Sequence, residues 1–247
     1  MKFVSYCQIL RLSIIVVNVN KWGELSVLKQ LSLAAILLCF TFFITGCSAS
    51  PEEQIHTILE EAVQKENAFE EQQGPITESE KKEKQLYEQI IGLSMKEFDQ
   101  IVKLSDQALA NIEEREKLIE KEHESITESE EEFNNIKDQI GEIEDEEVKQ
   151  RAGKLKETME KRYAAHDDLY KAYKESLALD KELYGLFKQE DLKMDRLQEQ
   201  INKINKSYQK VLDANETFNK ETERYNKEKE AFYKSADIKV EESSDKK

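Results

Sequence analysis

The chain has 247 residues, of which 36% are charged, and it contains only 7 glycines and 2 prolines. So few turn formers, beside abundant Glu, Lys and Leu, are typical of long helices and argue against sheets joined by tight turns. The formal net charge of −15 excludes nucleic acid and anionic lipid headgroups as ligands held by bulk charge.

The chain begins with a segment, residues 1–46, that we interpret as a processed leader. Lys29 precedes an apolar run of 14 residues, Leu31–Ile44. Because a transmembrane helix needs roughly 20 apolar residues, this run is typical of the hydrophobic part of a signal peptide. Residues 1–26 do not fit such a leader. We therefore expect translation to begin at Val27, which leaves residues 1–26 untranslated.

The leader ends in Ile44, Thr45, Gly46 and Cys47, which resembles the bacterial lipobox. That motif needs small residues before the cysteine so that a peptidase reaches the bond once the thiol carries a diacylglyceryl group. We expect cleavage after Gly46 and acylation of Cys47, with palmitate among the acyl chains. The alternative is a membrane-anchoring helix with an incidental cysteine. Two or more acyl chains hold a protein stably, at about 0.8 kcal/mol per buried CH₂, so we expect attachment to the outer face of the cell membrane.

Removal of the leader changes the charge and the cysteine content. It leaves 33 basic and 51 acidic residues, a net charge of −18. Cys7 and Cys39 are lost with it, so no disulfide is expected in the mature chain.

The next segment, residues 47–93, is predicted to form short membrane-proximal helices. Ser50–Glu53 has the residues of a capping box, with proline at the first helical position. We expect this helix to stop at Gly74–Pro75, because proline cannot continue the hydrogen-bond ladder. A second capping box at Thr77–Glu80 would open another short helix, which breaks near Gly92.

A heptad pattern predicts an elongated antiparallel bundle of three long helices over residues 94–236, with coiled-coil-like seams. Ser94 caps the first helix. Gly141 and the acidic run Glu142–Glu147 indicate a reversal, and a second turn is expected between Gly185 and Asp191, although one continuous helix of about 85 residues also fits the heptads. Residues 237–247 should be a disordered tail. The seam positions are Phe98, Ser105, Ile112, Ile119, Ile126, Phe133 and Ile140, then Val148, Leu155, Leu169 and Leu183, and then Leu197, Ile204, Val211, Phe218, Tyr225 and Phe232.

The side chains that usually carry chemistry give no pattern of an active site. His56, His123 and His166 have no His or Cys three or four residues away, so we expect solvated or seam-edge imidazoles and no metal site. The acidic run Glu142–Glu147 lacks the glycine-punctuated loop of a calcium site, which favours a solvated turn. No phosphate loop or nucleophile elbow is present. We expect no cofactor and no enzymatic activity.

Four tyrosines form one candidate binding surface: Tyr163, Tyr170, Tyr173 and Tyr184 lie on one predicted helix, together with Phe187. Aromatic faces stack on sugars, so contact with a glycan is one interpretation. Packing of the rings at the bundle edge, with wet hydroxyl groups, is the commoner use of tyrosine.

Three further segments resemble the YkyA family, cell-wall-binding lipoproteins of Bacillus and related Gram-positive bacteria. The first runs from Cys47 into Ser-Ala-Ser-Pro-Glu-Glu-Gln-Ile, the second is Glu-Glu-Gln-Gln-Gly-Pro-Ile at residues 70–76, and the third is Leu-Ser-Met-Lys-Glu-Phe-Asp-Gln-Ile at residues 93–101. The resemblance implies an envelope location, a helical bundle and wall binding. Only Cys47 carries over as a functional residue.

Two hypotheses for the function follow. In the first, the chain is a lipid-tethered structural or binding protein that contacts peptidoglycan or serves as a scaffold for an envelope protein. In the second, it captures a small ligand or a peptide, which requires a pocket between helices.

Overall fold

The structure, a computed structural model, describes residues 49–239. The leader, the lipobox residues Ile44, Thr45 and Gly46, the acylation site Cys47 and the last part of the tail therefore lie outside the described residues. Within residues 49–239, no helix is long and apolar enough to cross a bilayer.

The described residues form six α-helices and one 3₁₀ turn. Helices α5 and α6 have 42 residues each, which corresponds to about 63 Å at 1.5 Å per residue. Residues 49–239 contain no β-strand, and the prediction of an all-α bundle is confirmed. The helices are α1 (Pro51–Lys65), α2 (Asn67–Ile91), α3 (Phe98–Phe133), α4 (Ile136–Glu142), α5 (Glu146–Phe187) and α6 (Met194–Ser235), with the 3₁₀ turn at Met95–Glu97.

The helices assemble as four antiparallel arms, where the sequence predicted three. Helices α1 and α2 form one bent arm, α3 with α4 the second, and α5 and α6 the others. The side-chain contacts show that neighbouring arms run antiparallel, because residue numbers rise along one arm as they fall along the other. These contacts are Lys65–Glu128 and Glu83–Arg115 for the first two arms, Tyr163–Ser129 and Lys181–Glu116 for the next, and Arg162–Thr222 and Tyr208–Asp180 for the last.

One hydrophobic core runs through all four arms. Ile55 and Leu59 of α1 and Phe69 of α2 are buried together with residues of α3, α5 and α6, and the Phe69 ring lies 5.9 Å from that of Phe218. Residues 49–93 thus supply one wall of the bundle and do not form separate short helices beside it.

The predicted break at Gly74–Pro75 is wrong, because α2 continues through both residues. Proline deprives the carbonyl of residue 71 of its helical donor, but Glu71, Gly74 and Pro75 are exposed, so water can donate to that carbonyl. Burial of Ile76 on the opposite face favours the continuous helix. The actual break lies at Glu66, between α1 and α2. Thr77–Glu80 is consequently helix interior and not a cap.

The predicted caps and turns at the other helix ends are confirmed. Ser50 and Ser94 each form a capping box, with Glu53 and Glu97 respectively. Asp145, within the acidic run, caps α5 by accepting from the N–H groups of residues 147 and 148 at 2.8 and 3.0 Å. The chain also turns between Phe187 and Met194, so the single continuous helix is wrong.

The chain remains part of the bundle for a few residues beyond α6, where a disordered tail was expected from residue 237 onward. Asp237 has a φ of 53°, and the N–H of Ile238 donates to the carbonyl of Tyr233 at 2.9 Å. This is the hydrogen bond of a Schellman cap, and Ile238 packs against the core. The first residues of the predicted disordered tail therefore belong to the bundle, while residues 240–247 lie outside the described part.

The antiparallel arms give the bundle two ends. The anchor end holds Ser50, the α4–α5 turn and the last turn of α6, and there the rings of His56 and Tyr233 lie 5.2 Å apart. The distal end holds the α2–α3 connection and the α5–α6 turn, where the rings of Tyr87 and Phe187 lie 6.2 Å apart.

Candidate functional site

The middle of the bundle contains a buried arginine cluster, which we define as Arg115 with Glu80, Glu83 and Asp180. Arg115 is 3% exposed, donates to Glu83, and lies 3.9 Å from a carboxylate oxygen of Asp180. Glu83 and Asp180 are each 2% exposed. Arg115 lies three residues after the seam residue Ile112, so the heptad spacing places it beside the seam. In the structure, partners on α2 and α5 allow it to be buried.

The arginine cluster contains more carboxyl groups than one arginine can neutralise. Burial raises the pKa of Glu80 to about 7, against the opposing charge of Arg115. Burial, with the charge of Glu83 next, raises the pKa of Asp180 well above its ordinary value. The hydroxyls of Tyr173 and Tyr208 donate to Glu80 and Asp180 at 2.8 and 2.7 Å. The cluster therefore retains protons near neutral pH.

A second buried ion pair joins three of the arms. The Arg162 guanidinium donates to both carboxylate oxygens of Glu66 at 2.7 and 2.6 Å, and its Nε donates to Thr222 at 3.1 Å. The same guanidinium lies 5.1 Å from the centre of the Phe218 ring. Glu66 is the residue at which α1 ends and α2 begins, so this pair holds the bend of the first arm.

A small cavity lies between the two charged regions, beside His166 and Glu122. The His166 Nε2 atom is 3.8 Å from a Glu122 oxygen, and the cavity, of about 10 Å³, has space for about one water molecule. His166 is only 2% exposed, so the expectation of a solvated or seam-edge imidazole is wrong for this residue. The His166 ring packs against the apolar rings of Phe69 and Phe218, whose centres lie 5.8 and 5.3 Å from its own.

The tyrosine surface predicted for glycan contact is not present. Tyr163, Tyr173 and Tyr184 are buried in the core, with exposures of 3%, 5% and 0%, so no sugar can reach their faces. Tyr170 is half-buried, its ring stacks on His123 at 3.8 Å, and its hydroxyl donates to Glu120 at 2.6 Å. The rings pack, as in the alternative interpretation, but three of them lie in the core and not at a wet bundle edge, and the Tyr163 hydroxyl pairs with Ser129 at 2.8 Å.

The acidic run forms an exposed turn, as the sequence favoured. Its central member, Asp145, acts as the cap of α5, and residues 144–147 face solvent. Within residues 49–239, no group of three or more His, Cys, Asp or Glu side chains is arranged to hold a metal ion.

A larger opening lies at the distal end, between the last turns of α5 and the first half of α6. This distal cleft has a volume of about 500 Å³, within the range of small-ligand sites. Two acids, two bases, two amides, one leucine and one glycine line it. They are Glu182, Gly185, Leu186, Gln189, Arg196, Glu199, Gln200 and Lys203.

Large exposed apolar side chains also occur at the distal end. Ile91, Met95 and Met194 are 57%, 59% and 72% exposed. In the described part of the chain, the distal end therefore combines an open cleft with apolar side chains that contact solvent.

The comparisons with known proteins agree with this architecture. Residues 50–235 match the model of the YkyA family, described as a "putative cell-wall binding lipoprotein". The uncharacterized lipoprotein YkyA of Bacillus subtilis strain 168 is 39% identical over 201 residues, which cover 81% of this chain and 90% of that protein. The chain belongs to the YkyA family. Membership of this lipoprotein family implies a membrane-associated location.

The YkyA-family match begins at the cap of α1 and ends with α6, so it covers the whole bundle. A 1.6 Å crystal structure of a conserved protein of unknown function from Staphylococcus aureus is similar in fold, with a TM-score of 0.61 and 22% identity over 74% of this chain and 93% of that one.

Sequence reasoning missed two features of this YkyA-family protein. The signal for the arginine cluster was present, because Arg115 lies three residues after the seam residue Ile112, but its partners lie on other helices. Gly185 was interpreted as a turn residue, whereas it lies within α5 and lines the distal cleft.

Proposed function

We propose that this YkyA-family protein is a lipid-anchored extracytoplasmic binding protein whose bundle contacts the cell wall from the outer face of the membrane. The family match over the entire bundle is the observation that carries this proposal. The predicted lipid on Cys47 would attach three residues before the cap of α1. A tether this short keeps the anchor end of the bundle at the membrane surface.

The length of the arms supports a role at a distance from the membrane. Helices α5 and α6 each extend about 63 Å, so residues at the distal end can lie that far from the anchor. The open cleft and the exposed apolar side chains lie at that end.

We also propose that the protein acts by binding and not by catalysis. The two acids whose pKa burial raises most, Glu80 and Asp180, lie within the arginine cluster in the middle of the bundle. The nearby cavity of about 10 Å³ is too small for a substrate. Acid or base chemistry needs a perturbed group that a substrate can reach.

The anchor is tested with a Cys47→Ala variant. The wild type should fractionate with membranes and incorporate labelled palmitate, whereas Cys47→Ala should do neither. A Cys47→Ala protein that incorporates labelled palmitate as the wild type does would contradict acylation at this position.

Wall contact is tested by co-sedimentation of the full-length protein, extracted in detergent, with isolated cell walls. We expect it to be retained by intact walls and released when a muramidase digests them. Heat-denatured protein serves as the control for nonspecific trapping. Failure to sediment with walls would contradict the proposal.

A scaffold for another envelope protein is the second candidate. The exposed Ile91, Met95 and Met194 favour it, since apolar side chains at an exposed end are typical of protein contacts. Capture of a specific membrane protein by the same detergent extract, without retention by walls, would favour the scaffold.

A further inference from the structure

We propose that the distal cleft binds the peptide part of the wall polymer, as a site for short peptides that carry both amino and carboxylate groups. This inference rests on the proposed wall contact, and it adds the place of that contact and the chemical class of the ligand.

The cleft is built from one face of each of two helices. The residues of α6 that line it follow the spacing i, i+3, i+4 and i+7, and the three lining residues at the end of α5 follow the spacing i, i+3 and i+4. Side chains at this spacing share one helix face. The α5 face supplies Glu182, Gly185 and Leu186, the turn after α5 supplies Gln189, and the α6 face supplies Arg196, Glu199, Gln200 and Lys203.

The cleft is lined by both basic and acidic side chains, which suits a ligand that carries both negative and positive groups. Arg196 and Lys203 can receive carboxylates, and Glu182 and Glu199 can receive amino groups. Lys203 and Glu199 are 3.0 Å apart but 51% and 63% exposed, so exchanging this pair for a ligand has a small free-energy cost. The amide of Gln189, in the turn after α5, suits the backbone of a peptide, since it both donates and accepts, whereas Gln200 is 4% exposed and donates to the Leu179 carbonyl at 2.7 Å.

The lining also argues against the sugar chain as the ligand. It contains no aromatic ring, and three of the four tyrosines considered for stacking on sugars are buried elsewhere in the bundle. A peptide needs no aromatic platform, because hydrogen bonds and charge pairs can orient it.

Gly185 gives the cleft part of its open volume. Glycine within a helix destabilises it relative to alanine, because glycine loses more backbone freedom on folding. A Cβ atom at Gly185 would meet nothing within 4 Å, so packing against a neighbour does not explain the glycine. A large side chain here would instead project into the cleft. Gly153 lies in the same helix, also has open space at its Cβ position, and does not line the cleft.

The two glycines provide a matched experiment on the full-length protein in detergent. Three probes are titrated calorimetrically: a muramidase-released disaccharide with its peptide, the same disaccharide without peptide, and the peptide alone. We expect both peptide-containing probes to bind and the bare disaccharide not to bind. Gly185→Tyr should weaken binding by about tenfold or more, while Gly153→Tyr stays within about twofold of wild type.

Thermal unfolding separates a blocked cleft from a damaged fold. Both tyrosine variants should unfold at or slightly above the wild-type temperature, because tyrosine is a better helix former than glycine. Equal binding by the two variants, or equal binding of the bare disaccharide, would overturn the proposal.

The charge argument is tested separately with Arg196→Gln and with a peptide whose carboxylates are amidated. Each change should weaken binding, and the variant should no longer distinguish the amidated from the free peptide. If Arg196→Gln still prefers the free peptide as strongly as wild type does, the assigned role of Arg196 is wrong.

Sedimentation with walls distinguishes a failure of the cleft proposal from a failure of the proposed wall contact. If walls retain the wild type and Gly185→Tyr equally, the cleft proposal fails and the wall contact stands. If walls retain neither protein, the wall contact itself fails.

Discussion

The arginine cluster and the distal cleft contain the same kinds of residue, yet solvent access separates them. In the cluster, Arg115, Glu83 and Asp180 are buried between the arms, so each charge depends on the others. In the cleft, acids and bases of α5 and α6 face solvent and remain open to a ligand. The difference teaches that the same residue types are fixed in buried ion pairs where four arms enclose them, and stay accessible to solvent where only two helices meet.

The largest expected effect comes from Arg115→Met. This change removes the only basic member of the arginine cluster and leaves its acids buried without a counter-charge, so we expect the free energy of unfolding to fall by about 3–5 kcal/mol. Urea unfolding at pH 7 measures it. The matched variant in the cleft, Arg196→Met, should change stability by no more than about 0.5 kcal/mol. Similar losses of unfolding free energy in both variants would contradict the difference between the buried cluster and the open cleft.

The second buried pair should give an intermediate effect. Glu66→Gln leaves the Arg162 guanidinium, which is 5% exposed, with a neutral partner, and we expect a loss of about 2–3 kcal/mol. Glu157→Gln is the control, because it removes the acid of an exposed pair with Lys161 within α5. Urea midpoints that fall equally for both would show that burial of the Arg162 pair is unimportant.

The pH dependence of stability tests the protonation of the cluster. The pKa of Glu80 is raised from 4.5 to about 7, so its contribution is fully present below about pH 4.5 and is lost as the pH rises through 7. Glu80→Gln, whose carbonyl still accepts from Tyr173, should remove this loss. Relative to wild type it should gain roughly 1–3 kcal/mol between pH 5 and pH 8. A constant difference between the two proteins across that range would contradict the assignment.

The smallest expected effect concerns the glycines of α5. Gly185→Ala and Gly153→Ala should each stabilise the bundle by about 0.5–1 kcal/mol, because both are helical and have open space at the Cβ position. Thermal unfolding measures both. A loss of stability for Gly185→Ala alone would mean that the α5 end requires glycine for its backbone.

The features predicted correctly from the sequence are those decided by neighbouring residues. The capping boxes at Ser50 and Ser94 depend on residues three positions apart. The seam residues Ile112 and Ile119 are buried because a heptad spacing places them on one helix face. The α5–α6 turn was preferred because base rates disfavour a helix of about 85 residues.

The wrong predictions concern residues whose conformation or burial depends on distant parts of the chain. Pro75 lies within α2 because its outer face is exposed, and that exposure depends on how the first arm packs. The buried His166 depends on rings from α2 and α6. The distal cleft depends on how α5 and α6 pack against each other, and no property of either helix alone indicates this.

The most direct test of the central claim, an anchor at one end and wall contact at the other, is photo-crosslinking in intact cells. A benzophenone amino acid replaces Met194 at the distal end or Glu144 at the anchor end, both exposed. We predict that the probe at position 194 gives a product that stays with boiled walls and is released by muramidase, and that the probe at position 144 does not. Wall-linked product from position 144 alone, or from neither position, would contradict the account.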